Sequence, residues 1–216
     1  MHDTPPGGQA ADHEDAPIQK TGTTTVAVKT EDAVVLGADR RASLGGRFVS
    51  NKQAEKILEV HPTAAITIAG SVGGAQSFAS SLRAEANLYE TRRGKPPSMQ
   101  ALSTLAGNLL QSMPLPVSPL LGGVDDEGPA LFSLDAAGGV MTDDYGATGS
   151  GMQLAYGVLE RQYEDGLTVE AAREVVADAV ESASERDTAS GNGLTLATVT
   201  SEGVEMDTAA DPAEVL

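Results

Sequence analysis

The 216-residue chain contains no cysteine. That excludes disulfides, thiolate metal sites and cysteine nucleophiles. Histidine is nearly as scarce, with only His2, His13 and His61. A Ser-His-Asp triad would have to use His61, which stands in Glu-Val-His-Pro-Thr and reads as a turn between strands. A histidine-rich zinc site lacks its ligands. If the chain hydrolyses through a covalent nucleophile, the base falls to a lysine or an amine.

Basic residues are also few. Fourteen Lys and Arg face 31 Asp and Glu, a net charge of −17. Phosphate contacts need clustered basic side chains, so nucleic-acid binding is disfavoured. An anionic membrane surface is disfavoured for the same reason. Only Lys20, Lys29, Lys52, Lys56 and Lys95 are lysines, and aromatics make up 3%. Dispersed acidity with few lysines resembles proteins of salt-accumulating microbes, where salt screens self-repulsion. No apolar run reaches the ~18–20 residues that span a bilayer. The N-terminus has no apolar core and carries Asp3, Asp12, Glu14 and Asp15, unlike a secretory signal. A cytoplasmic protein is expected.

Residues 1–22 are rich in Pro, Gly, Asp and His, lack periodicity and read as a disordered leader. From Thr23 the pattern changes. Strands are expected at 24–29 and 33–38, around 47–49, and at 57–60 and 64–69. Ser71 caps a helix over about 72–92, with Phe78, Leu82, Ala86 and Tyr89 on one face. A second helix is expected from Ser98 to about Gln111, with Leu102, Leu105 and Leu109 inward. A Pro-rich link over 113–119 breaks the pattern. Strands follow at 120–124, 130–134 and 139–141, then helices at about 152–163 and 169–186. Residues 194–200 and 204–207 close as a hairpin. Segregated blocks of strands and helices indicate an α+β fold rather than an alternating parallel sheet. Two sheets packed face to face, with a helix pair on each outer side, would cover every apolar face.

Several short stretches carry potential chemistry. Residues 21–26 read Thr-Gly-Thr-Thr-Thr-Val. Three β-branched residues suit a strand entrance. A cut after Gly22 would also give Thr23 a hydroxyl and a free amine on one residue. An α-amine titrates near ~7.7–8.0, so it can accept the hydroxyl proton. Asp39 in Gly-Ala-Asp-Arg-Arg reads either as a strand-end salt-bridge cluster or as a site carboxylate. Lys56 in Ala-Glu-Lys-Ile-Leu reads locally as a solvated lysine. Thr67-Ile-Ala-Gly-Ser-Val-Gly73 places Gly70 between strand and helix, where backbone N–H groups and a helix dipole suit an oxyanion hole or a plain tight connection. Thr148-Gly-Ser-Gly151 precedes a helix without a Walker lysine. Arg186-Asp-Thr-Ala-Ser-Gly191 is a polar turn after the last helix.

In order and spacing, five blocks together resemble the catalytic β-subunit family of the archaeal 20S proteasome, as in a halophilic archaeon. They are Thr-Gly-Thr-Thr-Thr-Val, Ala-Asp-Arg-Arg, Ile-Ala-Gly-Ser-Val-Gly, Gly-Ser-Gly with Tyr-Gly-Val-Leu-Glu, and Arg-Asp-Thr-Ala-Ser-Gly. The resemblance implies a four-layer αββα sandwich, the N-terminal-nucleophile hydrolase fold, over residues 23–216. Residues 1–22 become a propeptide removed by self-cleavage of the Gly22–Thr23 bond. Thr23 is then the nucleophile, Asp39 and Lys56 its partners, and Gly70 the oxyanion donor. Ser150, Asp187 and Ser190 position the threonine. Ala42, Ala54, Ile68 and Val72 surround the specificity pocket, and their small and branched walls suggest cleavage after large apolar residues. Gly45-Gly46 departs from the family pattern by about one inserted residue. No metal or organic cofactor is implied. The implied partners are homo-heptameric β-rings stacked with α-subunit rings, an ATP-dependent unfoldase, and unfolded protein substrates. A catalytically silent ring subunit and a small-molecule amidase are the alternatives; retention of Gly22, Thr23, Asp39 and Lys56 argues against the first, and the blocks at Ser150 and Asp187 against the second. Within the triplet only Thr23 gains an amine, so only Thr23 is expected to be indispensable.

Overall fold

A computed structural model describes residues 22–113 and 115–216. The leader reading lies outside the described residues up to Thr21. Strands β1 (Thr24–Lys29) and β2 (Val34–Asp39) pair antiparallel. Their turn is closed by Thr30, whose N–H donates to Ala33 O at 2.9 Å and whose hydroxyl accepts the Ala33 N–H at 3.0 Å. Strands β3 (Ala42–Leu44) and β4 (Phe48–Asn51) form a separate two-stranded hairpin. Gly45 (φ 59°) and Gly46 (φ 68°) are both left-handed and form the centre of its turn, which the Arg47 N–H closes on Leu44 O at 3.2 Å.

Strands β5 (Ile57–His61) and β6 (Ala64–Gly70) lead into α1 (Val72–Arg93) and α2 (Met99–Ser112). The hydroxyls of Ser71 and Ser98 accept the Gly74 and Ala101 N–H groups as N-caps. Gly94 ends α1 in the left-handed conformation. The chain continues through β7 (Val117–Asp125), β8 (Gly128–Leu134), β9 (Val140–Asp143) and β10 (Tyr145–Gly149). Helices α3 (Met152–Gln162) and α4 (Val169–Ser184) precede the closing hairpin of β11 (Leu194–Thr200) and β12 (Gly203–Ala209). Among the described residues no helix is long and apolar enough to cross a membrane.

Two antiparallel five-stranded sheets result, in the orders β10-β1-β2-β11-β12 and β5-β6-β7-β8-β9. Three apolar clusters pack them. Leu36, Ala27 and Val199 of the first sheet meet Ile57, Leu120 and Leu131 of the second. Phe78, Leu82, Leu102 and Leu110 of α1 and α2 cover Ile66 and Leu121. Leu159, Val176 and Val180 of α3 and α4 cover Val26, Val28 and Leu196.

Three local expectations shift. The inward face of α2 is Leu102, Ser103, Ala106, Gly107 and Leu110, with Leu105 and Leu109 only partly buried. A Cβ on Gly107 would press on Gly138 O, 2.8 Å away, so a small residue lets the β8–β9 turn approach. Strand β7 begins inside the Pro-rich link. Pro119 opposes Ile68, whose own N–H donates to Lys56 O at 3.0 Å. That pair is therefore a non-hydrogen-bonded one, and the ladder with β6 loses nothing to proline. Residues 145–149 form β10, a strand with two glycines that exists by pairing with β1.

Candidate functional site

The singled-out residues converge on one end of the two sheets. Thr23 is the residue before β1 and is 3% exposed. Thr24 pairs with Gly149, so the start of β1 lies beside the end of β10 and the adjoining Ser150. Asp39 ends β2 between β1 and β11. Gly70 ends β6 with φ 131°, and a Cβ there would overlap Pro116 O, so only glycine fits.

One pocket is lined by Gly22, Thr23, Ala42, Ala54, Lys56, Ile68, Gly70 and Val72. Every residue assigned to the nucleophile, oxyanion and specificity positions is therefore on it. Four further lining residues, Glu55, Leu58, Ala75 and Gln76, escaped the sequence reading. Periodicity signals three of them: Leu58 follows Lys56 by two, as alternate strand residues do, while Ala75 and Gln76 follow Val72 by three and four on α1. Glu55 and Gln76 are exposed, and Val72 is 49% exposed. His61 lines a different pocket, with Tyr89, Lys95 and Asp125.

Asp39 is wholly buried and accepts from both sides. Its Oδ1 takes Lys56 Nζ at 2.6 Å and the Thr24 N–H at 2.8 Å. Its Oδ2 takes the Gly191 N–H at 2.9 Å and the Arg41 N–H at 3.0 Å. Lys56 is 7% exposed. Burial lowers its pKa from the ordinary value, and the Asp39 charge and hydrogen bond, with Asp187, pull only partly back. Arg41 fixes the turn behind Asp39, donating from Nε to Asn192 Oδ1 at 2.9 Å and from Nη1 to Thr188 O at 2.9 Å.

A second network surrounds the Thr23 nitrogen. The Thr23 N–H donates to Ser150 Oγ at 3.1 Å, and Ser150 donates to Asp187 Oδ2 at 2.5 Å. Ser190 donates to the same oxygen at 2.6 Å. A hydroxyl has one proton, so at the 2.8 Å contact between Thr24 and Ser190 the donor is Thr24. The Thr23 nitrogen and the Thr24 hydroxyl thus both lead to Asp187.

The Gly22–Thr23 bond itself is held closely. The Thr23 hydroxyl donates to Gly22 O at 2.7 Å, and the Gly22 N–H donates to Ser43 Oγ at 3.3 Å. A Cβ on Gly22 would overlap the Ala189 methyl, so the residue before Thr23 must be glycine. Chemically, the arrangement sets a hydroxyl against the carbonyl group of its own preceding peptide bond. A buried lysine, a glycine backbone and an apolar pocket surround it.

Comparison with known proteins gives a family. Residues 19–199 match the family described as "Proteasome subunit". The chain is 59% identical over 203 residues to proteasome subunit beta 2 of Haloterrigena turkmenica, covering 94% of this chain and 85% of that one. It is 60% identical over 200 residues to a proteasome subunit beta of Halorhabdus utahensis, covering 92% and 86%. It is 59% identical over 191 residues to proteasome subunit beta 1 of Haloarcula marismortui, covering 88% and 80%. These relatives come from halophilic archaea.

Proposed function

The chain belongs to the proteasome β-subunit family, and from that membership we propose that it is a catalytic subunit, a threonine endopeptidase of the archaeal 20S core. The observation that carries this reading is the Thr23 hydroxyl held 2.7 Å from Gly22 O in a pocket shared with Lys56 and Gly70. The sheets and helix pairs are then the layers of an αββα sandwich, with residues 23–216 as the peptidase domain.

Processing comes first. Thr23 Oγ adds to the Gly22 carbonyl carbon through a five-membered ring, the C–N bond breaks, and an ester forms. Water hydrolyses the ester and releases residues 1–22. The Thr23 α-amine does not yet exist, so Lys56 takes the hydroxyl proton, which its lowered pKa favours, and returns it to the Thr23 nitrogen as the C–N bond breaks.

In turnover the freed α-amine is the base. Lys56, held by Asp39, lowers the amine's pKa while it is charged. The Thr23 hydroxyl attacks a peptide carbonyl, and the Gly70 N–H stabilises the oxyanion. The leaving amine receives the proton and water hydrolyses the acyl-enzyme. Ser150, Asp187 and Ser190 orient the amine. Ala42, Ala54, Ile68 and Val72, with Leu58 and Ala75, form an apolar wall. Large apolar side chains before the scissile bond are the favoured substrates. The subunit works in the cytoplasm in heptameric β-rings between α-rings, fed with unfolded protein by an ATP-dependent unfoldase.

Intact mass and peptide hydrolysis in high salt test the reading. The purified protein should lack residues 1–22 and cleave a Phe- or Tyr-ended fluorogenic peptide in preference to an acidic or basic one. Thr23→Ala should keep the leader and hydrolyse nothing. An intact leader in an assembled, inactive wild-type particle would replace this reading with a silent ring subunit.

A further inference from the structure

Behind the nucleophile runs a chain of hydroxyls that the proposed chemistry leaves unused. Thr67 donates to Thr25 Oγ1 at 3.0 Å. Thr25 and Thr148 hydroxyls lie 2.7 Å apart. Thr148 donates to Ser118 O at 3.0 Å. A carbonyl oxygen only accepts, and each hydroxyl has one proton. The direction is therefore fixed: Thr67 to Thr25 to Thr148 to the Ser118 carbonyl. Thr25 and Thr67 are fully buried.

The chain crosses between the sheets at its first and last steps and runs along the first sheet between them. Thr67 is on β6, Thr25 on β1, Thr148 on β10 and Ser118 on β7, so it passes from the second sheet to the first and back. Each member stands within three residues of a site group. Thr25 follows Thr23 by two, Thr67 precedes Ile68 and Gly70, and Thr148 precedes Ser150. Ser118 adjoins Val117, the register partner of Gly70. Deeper between the sheets, Leu36 and Ala27 meet Leu120 and Leu131 through apolar contacts, which are non-directional.

We propose that this hydroxyl chain sets the spacing between the nucleophile strand and the strand bearing the oxyanion glycine, making Thr25, Thr67 and Thr148 positioning residues for the reaction. The inference rests on the peptidase reading above. Its physical basis is contact distance. Hydroxyl oxygens meet at 2.7–3.0 Å here, whereas methyl carbons meet at about 3.5–4.0 Å. Replacing the hydroxyls by methyls therefore moves the strands apart by about 1 Å, and a misplacement of that size costs roughly a hundred-fold in rate.

The test measures kcat, KM and thermal stability of the assembled protein with Thr25→Val, Thr67→Val, Thr25→Val/Thr67→Val and Thr25→Ser. Thr25→Val leaves the Thr67 hydroxyl without its acceptor, removes the donor to Thr148 and loses most stability. The double variant places methyl against methyl and regains stability relative to Thr25→Val, because both ends of that hydrogen bond are gone. Its kcat should stay at least about ten-fold below wild type with KM within about two-fold. Thr25→Ser should restore kcat. If kcat recovers along with stability in the double variant, the hydroxyls only stabilise and the proposal is overturned. Wild-type kcat in Thr25→Val overturns it as well. A wild-type protein that neither loses its leader nor cleaves peptides overturns the parent reading, and this one with it.

Discussion

At the residue scale, Asp39 and Lys56 decide the electrostatics of the site. A buried pair is worth little net, but removing one partner strands the other charge. Asp39 spreads its charge over four donors, and Lys56 has one short bond to it. Burial therefore prevails on Lys56 and its pKa falls. The sign has two consequences in the window below lysine's ordinary 10.5. The unfolded chain binds a proton there that the folded one has lost, so stability rises with pH across that window. Neutral Lys56 also becomes available as a base, so leader removal should accelerate with pH and level off before 10.5. Lys56→Arg, which stays charged, should leave the leader attached. A time course of processing against pH, read by mass, checks this. A flat pH profile, or normal processing by the arginine variant, would remove Lys56 as the proton acceptor.

At the element scale, the start of α1 is the wall of the pocket. Ser71 caps the helix, and Val72, Ala75 and Gln76 of its first turns line the site. Ser71→Ala should cost about 1 kcal/mol, a fall of about 2–4 °C in melting temperature for a chain of this size. KM for a Phe-ended peptide should rise while kcat stays near wild type. An unchanged KM would detach the cap from substrate binding. The elements also show where local sequence suffices. Helix α1 was legible because Ser71, Phe78, Leu82 and Ala86 mark its cap and face within one segment. The face of α2 was not. Leucines suggested Leu105 and Leu109 inward, but the approach of the turn at Gly138 favours Ala106 and Gly107. Strand β10 was missed for a similar reason: its glycines weaken propensity, and β1 supplies the order.

At the scale of the whole molecule, charge dominates. A net −17 stands against three ion pairs among the described residues, Lys29–Asp144, Lys56–Asp39 and Arg173–Asp207. Only the second is buried on both sides, and exposed pairs contribute little. Carboxylate repulsion is thus left to the solvent. The Debye length falls from ~10 Å at 0.1 M salt to ~3 Å at 1 M. The unfolding temperature should therefore rise steadily with KCl over that range. Calorimetry that found no salt dependence would show that the acidic surface is not self-repelling.

The sequence by itself determined the nucleophile candidate, the order of the blocks, most strand positions and the acidic character. Those are local properties, carried by residue type and short-range spacing. It also assigned Asp39, Lys56, Gly70 and the pocket residues, by likeness to a family. Only the tertiary structure decided what touches what. Thr25 and Thr67 lie 42 positions apart and Thr25 and Thr148 lie 123 apart, so no local pattern joins them. The triplet Thr23-Thr24-Thr25 pointed to Thr23 alone as indispensable. In the fold each hydroxyl has its own partner: Gly22 O for Thr23, Ser190 for Thr24, and Thr67 with Thr148 for Thr25. A strand entrance sends alternate side chains to opposite faces, and only packing settles what each face meets.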